Sequence, residues 1–222
     1  MIEAIHSRHI HIFFFTIIAL LPLSIILGPA ISLINVLIIS FSFLMLCFSL
    51  KSYQFFKKKE LLLLVTLNFY LIFNSFISLD FYSGFERNFG FFRFILLFLF
   101  FNYFFFKFEK SDKLFNMWLI LILFISIDVF IEFIFGRNLV GFGKDVYSTR
   151  IVSFFKDEPI VGSYIYGFSF ILIGYLFNKY SENKKSKVIV LFLPLLFLIS
   201  VLITGERSNA IRFFIGLMMF FI

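Results

Sequence analysis

Long apolar runs separated by short clusters of charge make up the whole chain. The runs cover about residues 10–28, 29–50, 61–79, 89–106, 114–135, 160–178 and 188–204, each near the roughly 20 helical residues that cross about 30 Å of hydrocarbon. They predict an all-α fold, a polytopic transmembrane helical bundle with about seven full spans. An eighth run starts near Ser208 and stops at Ile222, which is about 15 residues or about 22 Å of helix, too short to cross. The expectation is a single transmembrane domain over residues 1–222, an N-terminal fragment with a truncated eighth span, the downstream loop and later spans lying beyond it. Gly28-Pro29 marks the turn between the first two runs, and Pro22 and Pro194 are candidate kinks of the kind that neighbouring helices tolerate in lipid.

The loops orient the bundle. Lys51, Lys57, Lys58 and Lys59 fall on the same side as Lys107, Lys110 and Lys113 and as Lys179, Lys184, Lys185 and Lys187, and the positive-inside rule makes that side cytoplasmic. The N-terminus, with Arg8, then also lies inside, and the first run lacks a small-residue cleavage pattern, so it reads as a retained signal anchor. Segments near residues 80–88, 136–159 and 204–208 face the other way.

Composition agrees with this class. With 61% hydrophobic residues and a mean hydropathy of +1.02, the chain is excluded from the soluble globular proteins. Phe fills 41 of 222 positions, which a nucleotide bias that also enriches Ile, Lys and Asn explains without sugar-stacking platforms. The single Cys47 allows no disulfide framework. His6, His9 and His11 lie in the tail with no cysteine or carboxylate set to complete a metal shell. No metal, cofactor or nucleic-acid partner is expected.

Arginine is distributed differently from lysine: Arg87, Arg93, Arg137, Arg150, Arg207 and Arg212 all fall at or near the outer face. Positive-inside bias disfavours that placement. A guanidinium binds phosphate or carboxylate in bidentate fashion and keeps its charge when desolvated, so an anion at the outer leaflet is one reading. The other is simple pairing with Asp80, Glu86, Asp145, Asp157, Glu158 and Glu206.

Depth singles out a few of these groups. Arg93 is expected about one turn inside its span, with Asp128 and Glu132 at i and i+4 on one face of the next. Such charges survive in lipid as an ion pair or triad, which either serves a site or merely fixes helix packing. Arg212 lies about 7–8 Å below Arg207 along the last helix and could line the same cavity from beneath. The segment Arg150 to Tyr164 enters the sixth run; its Asp157 and Glu158 either favour the positive end of that helix or, for Glu158, position Arg150 or contact a sugar hydroxyl. Gly136, Gly141 and Gly143 loosen the preceding loop but form no phosphate loop, since no Gly-Lys-Ser/Thr follows.

The charged elements occur in a telling order: Arg87-Asn88-Phe89-Gly90-Phe91-Phe92-Arg93-Phe94, then Asp128 through Gly136-Arg137-Asn138, then Arg150 to Tyr164, then Thr204-Gly205-Glu206-Arg207-Ser208. In this order they resemble the N-terminal part of the bacterial O-antigen ligase and O-antigen polymerase superfamily, over about residues 60–222. The resemblance implies a multi-spanning, inverting, metal-independent glycosyltransferase of the inner membrane. It would take a glycan from undecaprenyl diphosphate at the periplasmic face and pass it to a lipid A core or to a second lipid-linked glycan. By motif, Arg207 is similar to the family's arginine in a Gly-x-Arg segment that binds the diphosphate, and Arg150 and Glu158 match the Arg and Glu of the motif entering the following span. Arg212 and Arg93 join the expected diphosphate-binding set, and Asp128, Glu132 and Glu206 the expected structural ion pairs. The family's large periplasmic loop supplies a catalytic histidine, which this fragment lacks, so Glu158 is the local candidate for general base.

Two other classes compete. A transporter or flippase for an anionic lipid-linked substrate would also embed charge at a cavity, with polar groups near the midplane and repeated halves. A scaffold held by helix contacts leaves the arginine segregation unexplained.

Overall fold

A computed structural model describes residues 2–50, 59–107, 111–143, 150–156, 158–180 and 184–221. The readings placed on Lys51, Lys57, Lys58, Lys110, Asp145 and Asp157 lie outside the described residues. Among the described residues the chain is helical and has no strand; the exceptions are turns, a 3-10 turn over Ser153–Phe155 and one isolated bridge between Arg137 and Gly143. It divides into two compact units, Met1–Asp112 and Lys113–Ile222.

The N-terminal unit holds α1 (Ile2–Ala19), α2 (Leu21–Leu27), α3 (Pro29–Leu50), α4 (Lys59–Ile77), α5 (Phe81–Gly90) and α6 (Phe92–Lys107). Pro22 sits in the first turn of α2 and has no N–H to continue the ladder of α1, and the two helices meet at a bend of 42°. Phe14, Phe43, Phe100 and Tyr103 form an aromatic core between α1, α3 and α6, with ring centroids 5.0–5.8 Å apart.

The charged segment after α4 is helical. Asp80 caps α5 by accepting from the Ser83 hydroxyl at 2.6 Å and the Ser83 amide at 3.2 Å, and these bonds hold its carboxyl below the usual range. From there α5 runs back along α4. The Asn88 amide group donates to the Leu71 carbonyl and the Ser75 hydroxyl, both at 2.8 Å, and Asn68 donates to the Asn88 carbonyl at 2.9 Å. A break at Phe91 leads into α6. The ten residues of α5 carry the chain about 15 Å along α4 before α6 begins. Arg93, in the first turn of α6, thus lies beside the middle of α3, its carbonyl accepting from the hydroxyl of Ser40 at 3.3 Å.

The C-terminal unit holds α7 (Ser111–Phe135), α8 (Val161–Tyr180), α9 (Lys184–Ile203) and α10 (Arg207–Phe221). α8 packs most extensively on α9, and α10 packs against both. Phe115 stacks on Tyr175 with centroids 4.4 Å apart and Trp118 meets Phe168 edge-on at 5.4 Å, joining α7 to α8.

Four helices are long and apolar enough to cross a membrane, within Pro29–Ser49, Lys59–Ile77, Asp112–Phe135 and Val161–Tyr180, or five if the bent pair α1 and α2 is one span. The expected count of about seven is not reached among the described residues. α6 has 16 residues because the break at Phe91 separates it from α5, and α9 runs over the 20 residues Lys184–Ile203. Large apolar side chains such as Leu62, Phe69, Phe73, Ile120, Ile127 and Ile134 are exposed on these helices, as a surface solvated by lipid requires. The protein is a helical, membrane-embedded one.

Candidate functional site

The site is built from the C-terminal unit, starting with two buried acids. Asp128 and Glu132 are both fully buried on α7. The sequence predicts an ion pair for them, and among the contacts described their carboxylates also accept hydrogen bonds from the following loop. Asp128 accepts from the Leu139 amide at 2.9 Å and the Ser153 hydroxyl at 2.5 Å. Glu132 accepts from the amides of Val152 and Ser153 at 3.2 and 2.7 Å. These donors satisfy much of what water would have supplied to each charge.

Asn138 completes the clamp. Its side chain donates to the Ser153 carbonyl at 2.6 Å and accepts from the Val140 and Phe142 amides at 3.1 and 2.7 Å. Ser153 thus bonds through its amide, hydroxyl and carbonyl, and this holds it in the left-handed region, at φ 49°, where a residue with a Cβ is strained. The clamp delivers the chain at Arg150 to the end of α9, where the Ile151 amide donates to the Thr204 carbonyl at 3.4 Å.

Glu206 supplies the third buried carboxylate. Gly205, at φ 80°, turns the chain out of α9, and Glu206 then immediately precedes α10, its carbonyl accepting from the amides of Asn209 and Ala210 at 3.1 Å. Its side chain reaches across to α8. There it accepts from the Gly162 amide at 2.6 Å, the Ser163 amide at 3.1 Å and the Ser163 hydroxyl at 3.0 Å, and it also accepts from the Asn209 side chain. A carboxylate at these first-turn amides satisfies orphan donors and favours the helix dipole. Glu206 thus caps α8 at Gly162 and Ser163; of the two acids read at that helix start, Asp157 lies outside the described residues and Glu158 is exposed. Gly162 permits this approach, since a Cβ there would lie 2.7 Å from the Thr204 hydroxyl and 2.9 Å from the Glu206 carboxylate.

With Glu206 turned inward, its neighbours line a cavity of about 550 Å³ formed by Arg150, Pro159, Gly205, Glu206, Arg207 and Ser208. That volume falls in the range of small-ligand sites. Arg150 and Arg207 are exposed on its wall, and Ser208 adds a hydroxyl. Arg207 is also the first residue of α10, where the positive end of the helix dipole favours an anion. Two guanidiniums, a hydroxyl and a helix start suit a phosphate-bearing ligand.

The other expected residues are placed differently. Arg212 is exposed on α10 and is not among the residues lining the cavity; five residues of helix turn it about 140° away from Arg207. Glu158 is exposed next to Pro159, its carbonyl accepting from the Ile160 amide at 2.8 Å. Arg93 belongs to the N-terminal unit, where it is half-buried with its guanidinium 4.9 Å from the centre of the Phe94 ring. Among the described residues no group of three or more His, Cys, Asp or Glu side chains could hold a metal.

Sequence reasoning missed Ser153, Asn138, Gly162 and Asn209. Only Gly162 carried a signal, as a glycine in the first turn of a helix; the others are ordinary polar residues whose importance comes from backbone atoms brought to them. No protein-family model, curated protein or solved structure matches the chain.

Proposed function

We propose that the protein is a membrane glycosyltransferase of the O-antigen ligase or polymerase kind, whose cavity at Arg150 and Arg207 binds the diphosphate of an undecaprenyl-linked glycan. The convergence of these two arginines on one cavity carries this reading. In the proposed bundle all seven apolar runs cross the inner membrane, the N-terminus is cytoplasmic and the cavity opens to the periplasm. The acceptor is a lipid A core or a second lipid-linked glycan.

In the reaction an acceptor hydroxyl oxygen forms a bond to the anomeric carbon as the bond from that carbon to the diphosphate breaks, with inversion. The hydroxyl proton passes to a base, for which exposed Glu158 is the candidate. The guanidiniums of Arg150 and Arg207 stabilise the charge that gathers on undecaprenyl diphosphate as it leaves. No metal or cofactor has a part in this scheme.

The test is transfer in proteoliposomes: the full gene product, a fluorescent undecaprenyl-diphosphate oligosaccharide and an acceptor lipid, with product followed by mass. A new glycosidic bond on the acceptor, with release of undecaprenyl diphosphate, is the expected result. Movement of the donor across the bilayer with no bond formed would overturn it in favour of a transporter or flippase. That second reading has one observation of its own, the broken helix at Phe91 with Arg93 and Asn68 near the middle of the neighbouring helices.

A further inference from the structure

The three residues that follow Arg150 are fastened one after another through their amides. Ile151 donates to the Thr204 carbonyl at 3.4 Å, and Val152 and Ser153 donate to the Glu132 carboxylate at 3.2 and 2.7 Å. The Ser153 hydroxyl and carbonyl are held as well, by Asp128 at 2.5 Å and by the Asn138 side chain at 2.6 Å. Ile151, Val152, Ser153 and Phe155 are buried, whereas Arg150 is exposed on the cavity wall. Among the described residues the non-glycine residues with positive φ are Ser153 and Lys156, at 49° and 56°, so this strain falls in the segment behind Arg150. Strain of that kind persists only where surrounding contacts over-determine it. The bond to Thr204 matters in particular, because Thr204 directly precedes Gly205 and lies three residues before Arg207. It ties the backbone beside one arginine to the backbone just ahead of the other.

Resting on the anion-binding reading of the charged cavity, we infer that Asp128, Glu132 and Asn138 are positioning residues: through the backbone of residues 151–153 they set the separation of the Arg150 and Arg207 guanidiniums, and so the anion that both can grip. None of the three is among the residues lining the cavity. They act before a ligand arrives, by removing backbone freedom that an unanchored Arg150 would have to lose on binding. A clamp that served packing alone would affect the contributions of both arginines alike. One that acts through Arg150 affects only that arginine's share.

The experiment measures the binding of inorganic pyrophosphate to the full gene product in detergent by calorimetry, with thermal unfolding as the check on folding. Glu132→Gln keeps the shape of the side chain and loses its charge, and Ser153→Ala, the milder change, loses only the hydroxyl bond to Asp128. Both should weaken binding, Glu132→Gln by about tenfold, the loss expected when one charge-assisted contact is no longer held in place. In an Arg150→Ala protein the same two changes should add nothing, since the residue they act through is gone. In an Arg207→Ala protein they should weaken binding again by the same factor. Equal losses in the two arginine backgrounds, or unaltered binding by folded Glu132→Gln and Ser153→Ala, overturn the positioning role and leave the anion site standing. Absence of pyrophosphate binding by the unaltered protein overturns the anion reading itself, and the positioning role with it.

Discussion

Glu206 holds the Gly162 amide at 2.6 Å, so a single carboxylate ties the first turn of α8 to the start of α10. The adjacent Arg207 is then left on the cavity wall. A buried carboxylate and a guanidinium on the cavity wall stand side by side because successive residues at a helix start point in different directions.

This contact leaves little tolerance at Gly162. Gly162→Ala should lower stability by about 1–3 kcal/mol through overpacking against Thr204 and Glu206. Glu206→Ala should also destabilise, since each buried amide it orphans costs about 1–3 kcal/mol. Thermal unfolding in detergent measures both, and wild-type melting of Gly162→Ala would contradict the close approach.

Ser153 separates strain from bonding. Ser153→Ala keeps the left-handed backbone and loses the hydroxyl bond to Asp128, whereas Ser153→Gly loses the same bond but relieves the strain. The glycine variant should be the more stable by about 1–2 kcal/mol. The comparison is made by thermal unfolding, and a less stable glycine variant would refute the account.

Asn68 satisfies the carbonyl of Asn88 beside the break at Phe91. Asn68→Leu should cost about 0.6–2 kcal/mol, the range for interhelical hydrogen bonds in lipid. Hydrogen exchange across the start of α6 should quicken, and unchanged exchange there would mean that Asn68 does not hold the break.

For the charged cavity, Arg207→Lys should preserve membrane abundance yet lower glycan transfer about 100- to 1,000-fold, as for a lost transition-state donor. Arg212→Lys, outside that cavity, should have a far smaller effect. Glycan transfer in a deletion strain, with abundance followed by immunoblot, separates the two, and full activity of both Arg207→Lys and Arg207→Ala would remove Arg207 from the site.

Sidedness provides a test independent of the site. Reporter fusions after Lys58, Lys110 and Lys185 should report the cytoplasm, and one after Leu79 the periplasm. A periplasmic signal at Lys185 would place the arginines inside and refute the orientation.

By itself the sequence determined the helical, membrane-embedded class and approximate helix positions, because the cost of moving a segment into lipid is nearly a sum over its own residues. It also marked Arg150 and Arg207 as candidates, since arginine in an apolar chain stands out without any structure. Tertiary structure decided what local sums cannot: where a helix breaks, which side of α10 faces the cavity, and what a buried carboxylate bonds to. Reading charges along the chain pairs acids with bases and so predicted ion pairs for Asp128, Glu132 and Glu206. The donors they meet include backbone amides of Leu139, Val152, Ser153, Gly162 and Ser163. Every residue except proline carries an amide, so side-chain types cannot say which ones a fold will bring to a buried carboxylate.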